Sequence, residues 1–238
     1  MKEQKVVKNF GKIHKDISSI AITSDDKHLW TSGGEKNGHV KQFSVRNGKM
    51  VKDFGPIFGN DPTKSVMTTS DNNYLFAASY GGKLKQVSLK SQKAVNDYGE
   101  VHDHGVSCME TTRDSKWLII CTFYQDVIRF SVEHREFDKV LGQVCNYKIR
   151  EMKITADGEK MLLGYDKGYL LLISLRNGKV IKDFGKVHSS VTTGIMITEH
   201  QKFFFTSTEI GEFKQWNYED NTLVRDHGEF TDPIVSLC

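Results

Sequence analysis

Proline is scarce in this chain of 238 residues. Pro56, Pro62 and Pro233 are the only three, and each stands between apolar runs. Proline cannot donate to a β-ladder, so its confinement to connectors leaves the runs free to pair. Cysteine is also scarce. Cys108, Cys121, Cys145 and Cys238 are scattered with no CxxC pair, which offers neither a zinc pattern nor a disulfide framework. Stretches such as Tyr169–Ile173 fall far short of the ~20 apolar residues a membrane-spanning helix needs. Met1-Lys2-Glu3-Gln4-Lys5 has no apolar signal core. No Asn-x-Ser/Thr sequon occurs, in keeping with a cytoplasmic chain. A net charge of +3 is too small to argue for nucleic acid by itself. Helical periodicity is missing throughout, although 38% hydrophobic and 26% charged residues suit a folded protein.

What is present is repetition. Val180-Ile181-Lys182-Asp183-Phe184-Gly185-Lys186-Val187-His188 returns in altered form along the whole chain. Its glycines are Gly11, Gly55, Gly99, Gly142, Gly185 and Gly228, at steps of 44, 44, 43, 43 and 43. So regular a period means one supersecondary unit reused. Within each period a short apolar strand a (Ile17–Thr23, Thr192–Thr198) precedes a polar turn such as Ser24-Asp25-Asp26-Lys27 or Ala156-Asp157-Gly158-Glu159. Strand b is rich in aromatic and β-branched residues: His28–Ser32, Tyr74–Ser79, Trp117–Thr122, Lys160–Tyr165, Phe203–Thr208. Strand c spans His39–Val45, Lys83–Leu89, Val127–Val132, Tyr169–Leu175 and Glu212–Tyr218. Asn47-Gly48 and Asn177-Gly178 then give hairpin turns into strand d. The glycine after strand d's aromatic is expected to turn the chain from one sheet into the next.

Four-stranded units of this length are propeller blades. The expected fold is all-β, with repeats at about 11–54, 55–98, 99–141, 142–184 and 185–227, and 228–238 opening a further blade. The N-terminal strand Val6–Phe10 and the terminal run Pro233–Cys238 suggest an incomplete or open ring whose exposed edges invite strand association.

The array resembles the WD-repeat (Trp-Asp) β-propeller family. The Gly-His place reads His14, Phe58, His102, Cys145 and His188; the Trp-Asp place reads Phe43-Ser44, Val87-Ser88, Phe130-Ser131, Ile173-Ser174 and Trp216-Asn217. The resemblance implies a buried His–Thr–Trp hydrogen-bond chain with an orienting Asp. Only the last repeat offers His188, Thr206 and Trp216, and it lacks that Asp. Such a network helps only when every member is satisfied, so apolar packing is expected to carry most of the blades.

Candidates for chemistry all have a plainer reading. His102-Asp103-His104 could hold a metal, but His102 stands at the repeat position and no second cluster converges with it. Asp25-Asp26 and Asp157-Gly158-Glu159 lack the alternating acids of a calcium loop. No Gly-x-Ser-x-Gly elbow or phosphate-cradling loop is present. Lys41, Lys85 and Lys214 recur in strand c, with Arg129 read as their counterpart, yet acids of equal density make the surface mixed. The expectation is therefore a non-catalytic protein–protein interaction scaffold without cofactor, metal, nucleic acid or membrane. The family likeness places partner binding on the end carrying the d–a connectors and b–c turns. Candidates there are Lys15, Asp16, Asn60, Asp61, Tyr80, Asp103, His104, Tyr124, Asn146, Tyr147, Tyr165 and Ser189. The rival reading is a sensor or enzyme domain using the central channel, or one module of a larger signalling protein.

Overall fold

A computed structural model describes residues 9–33, 36, 38–143 and 146–232. The expectations that rest on residues 1–8, on Val144-Cys145 and on Pro233–Cys238 fall outside that set, as does most of the b–c turn of the first repeat.

The described chain has a β-propeller fold of five blades, each a four-stranded antiparallel meander. Blade one is β1 (Ile17–Ile22), β2 (His28–Gly33), β3 (Val40–Ser44) and β4 (Met50–Asp53). Blade two is β5 (Thr63–Thr68), β6 (Tyr74–Ser79), β7 (Lys83–Ser88) and β8 (Lys93–Glu100). Blade three is β9 (Val106–Thr111), β10 (Trp117–Thr122), β11 (Asp126–Ser131) and β12 (Glu136–Gln143). Blade four is β13 (Ile149–Ile154), β14 (Lys160–Tyr165), β15 (Tyr169–Ser174) and β16 (Val180–Lys186). Blade five is β17 (Thr192–Ile197), β18 (Phe203–Thr208), β19 (Glu212–Asn217) and β20 (Leu223–Glu229). Among the described residues a single 3-10 turn, Asp166–Gly168, interrupts the strands, and none of their helices is long and apolar enough to cross a membrane. Contacts divide the chain into two compact units, up to Gly105 and from Val106 on.

Local chemistry explains the a–b turns of blades one to four. The threonine closing strand a donates to an aspartate two residues on: Thr23 to Asp25 at 2.7 Å and Thr112 to Asp114 at 2.6 Å. That ring lets the next residue take φ near +55°, as at Asp26 (54°), Asn72 (57°) and Ser115 (59°).

Strand d corrects the expectation for the repeated glycine. Gly99, Gly142, Gly185 and Gly228 lie inside their strands, with φ of 63°, 84°, 69° and 79°. The register slips beside each one: Leu170 pairs with Gly185 but Leu171 with Asp183. The glycine therefore makes a bulge that needs the left-handed region, and the turn comes later. Four of the six glycine N–H groups donate to an Asp two residues before: Gly55 to Asp53 (2.8 Å), Gly99 to Asp97 (3.0 Å), Gly185 to Asp183 (2.7 Å) and Gly228 to Asp226 (2.9 Å). Asn9 does the same for Gly11 at 2.8 Å. The recurring Asp-aromatic-Gly is thus a bulge motif.

Apolar faces stack the sheets within each unit. Trp30, Val40, Phe58, Val66, Leu75 and Val87 form the core between blades one and two. Leu162, Leu170, Leu172, Ile195, Phe204 and Trp216 do so between blades four and five. Phe184 of strand d packs edge-on against both Phe204 (5.8 Å) and Trp216 (5.6 Å), adding aromatic contacts to that seam. Neighbouring inner strands are also bonded. Thr68 Oγ1 donates to Ile22 O at 3.0 Å, and Lys153 Nζ meets Glu110 Oε1 at 2.6 Å. Burial raises the Glu110 pKa, opposed by Lys153 and by the Ile154 N–H, 2.6 Å from Oε2.

Candidate partner-binding end

In an up-down meander the b–c turns and d–a connectors fall at one end of each blade, the a–b and c–d turns at the other. The first question is what fixes the connectors. In blade five His188 is buried, its Nε2 2.7 Å from Thr206 Oγ1, and Trp216 Nε1 donates to the same oxygen at 2.9 Å. The carboxylate absent from the b–c turn is supplied by Glu212, at the head of β19. Its Oε2 lies 3.2 Å from His188 Nδ1, and both oxygens accept from Ser189 N (2.9 and 3.1 Å). Burial pulls the His188 pKa down to about 4, against the raising effect of Glu212, so the ring is neutral at pH 7. Blade one keeps half of this device: His14 Nε2 lies 2.9 Å from Thr31 Oγ1, with Phe43 in the tryptophan place.

The strand-c lysines latch the connectors. Lys41 Nζ donates to Ile13 O (2.6 Å), Lys85 to Ile57 O (2.8 Å) and Lys214 to Val187 O (2.8 Å). The last two also meet the bulge aspartates, Asp97 at 3.0 Å and Asp226 at 3.2 Å. The Gly99 N–H and then Lys85 hold the Asp97 pKa low, and the Gly228 N–H, followed by Lys214, does the same for Asp226. Arg129 does not share this role. Lys41 pairs with Thr31, Lys85 with Ala77 and Lys214 with Thr206, and the matching residue of β11 is Ile128, opposite Ile120. One residue of offset turns Arg129 to the other face. There it lies over Trp117 (4.5 Å), bonds Asp138 Oδ2 (2.7 Å) and reaches Leu175 O of blade four (3.3 Å). It spans a groove of about 290 Å³ at the opposite end of blades three and four.

On this frame the candidates separate. In the first unit Lys15 and Asp16 are exposed, and Lys15 lines a shallow basin of about 360 Å³ with His14, His39, Lys41 and Asp53. His39 Nδ1 in that basin bonds Asp53 at 2.8 Å. Asn60 and Tyr80 are exposed, and Asp61 Oδ1 accepts from Gly81 N at 3.0 Å, tying connector to b–c turn. Asp103 and His104 are exposed, and His102 is only half-buried, unlike His14 and His188. In the second unit Tyr124 is 58% exposed, and Asn146 and Ser189 are open to solvent. Tyr147 stacks on Tyr169 at 4.7 Å and 18°, with Lys167 Nζ 5.3 Å above its ring. Tyr165 does not belong here: it is 0% exposed at the end of β14, since that place in strand b points into the sheet packing. Lys167 and Ile210 (45% exposed) join this end and were not singled out from sequence, because the b–c turns differ in length and carry no shared residue.

No family model matches the chain. Among solved structures it is similar to Kuenenia stuttgartiensis hydrazine synthase, with a TM-score of 0.73 and 13% identity over 88% of this chain. It spans 66% of the length of that chain. At such identity the likeness concerns the fold, which 1790 matching solved chains make a common one.

Proposed function

We propose that this is a divergent WD-type propeller acting as a non-catalytic platform for a protein partner, in the cytoplasm. The observation that carries the reading lies in the second unit: Tyr147, stacked on Tyr169 under Lys167, and the exposed Tyr124 and Ile210 are all at blade ends bearing b–c turns or connectors. Rigid aromatics beside a cation are what a peptide or domain surface is anchored by. The WD assignment is supported by the His188–Thr206–Trp216 chain and the His14–Thr31 pair. A binding role is favoured over chemistry because Glu110 and His188, two buried groups with burial-shifted pKa values, are both engaged in holding blades and connectors. The cytoplasmic setting rests on the scattered cysteines, which form no CxxC pair.

The test is affinity capture with wild type and with Tyr124→Ser/Tyr147→Ser, checked for equal melting temperature. A partner retained by wild type and lost by the variant is the expected result. Equal capture by both proteins would overturn the choice of surface, and turnover of a small molecule would favour the channel reading.

A further inference from the structure

We propose that His102, Asp103 and His104 form a site for a divalent transition cation of borderline softness, zinc first. Among the described residues, each of the three can bring one donor atom within 4.8 Å of the other two. The carboxylate sits between the rings: Asp103 Oδ1 is 3.3 Å from His102 Nδ1 and 3.6 Å from His104 Nδ1. Ligands on a tetrahedral zinc with bonds of 2.0–2.1 Å lie about 3.3 Å apart, so both distances are close to those of a loaded site. Two imidazoles and one carboxylate leave a fourth position for water or a ligand from elsewhere, the donor set of an open zinc site.

Two further observations point the same way. The loop backbone is held: Val101 N donates to Gly82 O at 2.8 Å, and the space a Cβ on Gly82 would need is filled by the His102 carbonyl. The ligands therefore sit on a fixed frame, which lowers the ordering cost of binding. In addition, His102 occupies the repeat position at which His14 and His188 turn inward onto Thr31 and Thr206. The residue of blade three in the register place of those threonines is Ile120, which has no hydroxyl. His102 Nδ1 accepts from His104 N at 3.2 Å. That bond marks Nδ1 as carrying a lone pair, and a cation would take it over from the N–H or bind through Nε2.

The experiment uses the full chain without a polyhistidine tag, stripped with chelator. Cobalt is titrated and followed by its visible absorption, and zinc affinity is read by competition with a chromophoric chelator. One equivalent is expected to bind. Loss of an outer partner typically costs about 10–100-fold in metal affinity, so His102→Ala and His104→Ala are each expected to weaken zinc by at least that factor. His227→Ala, an exposed histidine elsewhere, is expected to bind as wild type does. Equal melting temperatures of the metal-free proteins separate ligand loss from misfolding. Absence of saturable binding, unchanged affinity in His104→Ala, or equal weakening in His227→Ala would overturn the site.

Discussion

Blades four and five place different residues in the same column of the sheet. In blade five the column reads Ile195, Thr206, Lys214, Asp226; in blade four it reads Met152, Leu163, Leu171, Asp183. The threonine hydroxyl is fully buried, and it is tolerable there because His188 and Trp216 both bond it. In blade four Leu163 is equally buried, and Ile173 stands in the tryptophan place. A buried polar group without partners costs about 1–3 kcal/mol, whereas replacing a whole bonded set by apolar groups of like shape is close to neutral. The two blades show the polar chain whole in one and replaced throughout by apolar groups in the other. Blade one, with His14 and Thr31 but Phe43, shows the set partly dismantled.

The contrast breaks most sharply by moving one residue. Leu163→Thr puts a hydroxyl into blade four without the rest of the set and leaves a cavity besides. It is expected to cost about 3–5 kcal/mol, seen as a lower urea midpoint; a change below about 1 kcal/mol would refute the claim that the buried hydroxyl needs its partners. Next in size is acid sensitivity. The His188 pKa is lowered from 6.5 to about 4, so between those values the unfolded chain holds a proton the folded chain does not. Stability from this group is full above pH 6.5 and is lost as pH falls toward 4, by up to about 3 kcal/mol. The low Glu212 pKa adds to the loss at still lower pH. His188→Phe, which copies Phe58 of blade two, is expected to flatten the pH 4–6.5 limb of the urea midpoint.

Thr206→Val strands Trp216 Nε1 and His188 Nε2 and is expected to cost about 1–3 kcal/mol by the same measurement. The smallest effect is on the latch. Lys214→Met removes the bond to Val187 O and the contact with half-exposed Asp226. It is expected to cost under about 1 kcal/mol, yet to speed amide exchange at residues 187–190 selectively.

Much of this was legible in the chain. The period, the strand order and the hairpin turns follow from glycine, asparagine and alternation, and strand ends are off by a residue or so, as at Val40–Ser44 against His39–Val45. What was less visible depends on register. Arg129 looked like Lys41 by spacing, but a single offset sends it to the other face. Glu212 was overlooked because the carboxylate was sought inside the b–c turn and it sits one residue beyond Gly211. Asp97 and Asp183, two residues before Gly99 and Gly185, belong to the acids counted as mixed surface charge, since their recurrence alone does not tell a side-chain bond to an N–H from a solvated carboxylate. Tyr165 was placed outside because only pairing tells which end residue of strand b turns inward.

The binding claim is tested most directly by amide hydrogen exchange on the protein with and without its captured partner. Protection gathered at 124–125, 146–147, 166–168 and 189–190 is the expected result. Protection at the opposite turns, 113–116, 156–159 and 176–179, with the first set unchanged, would contradict it.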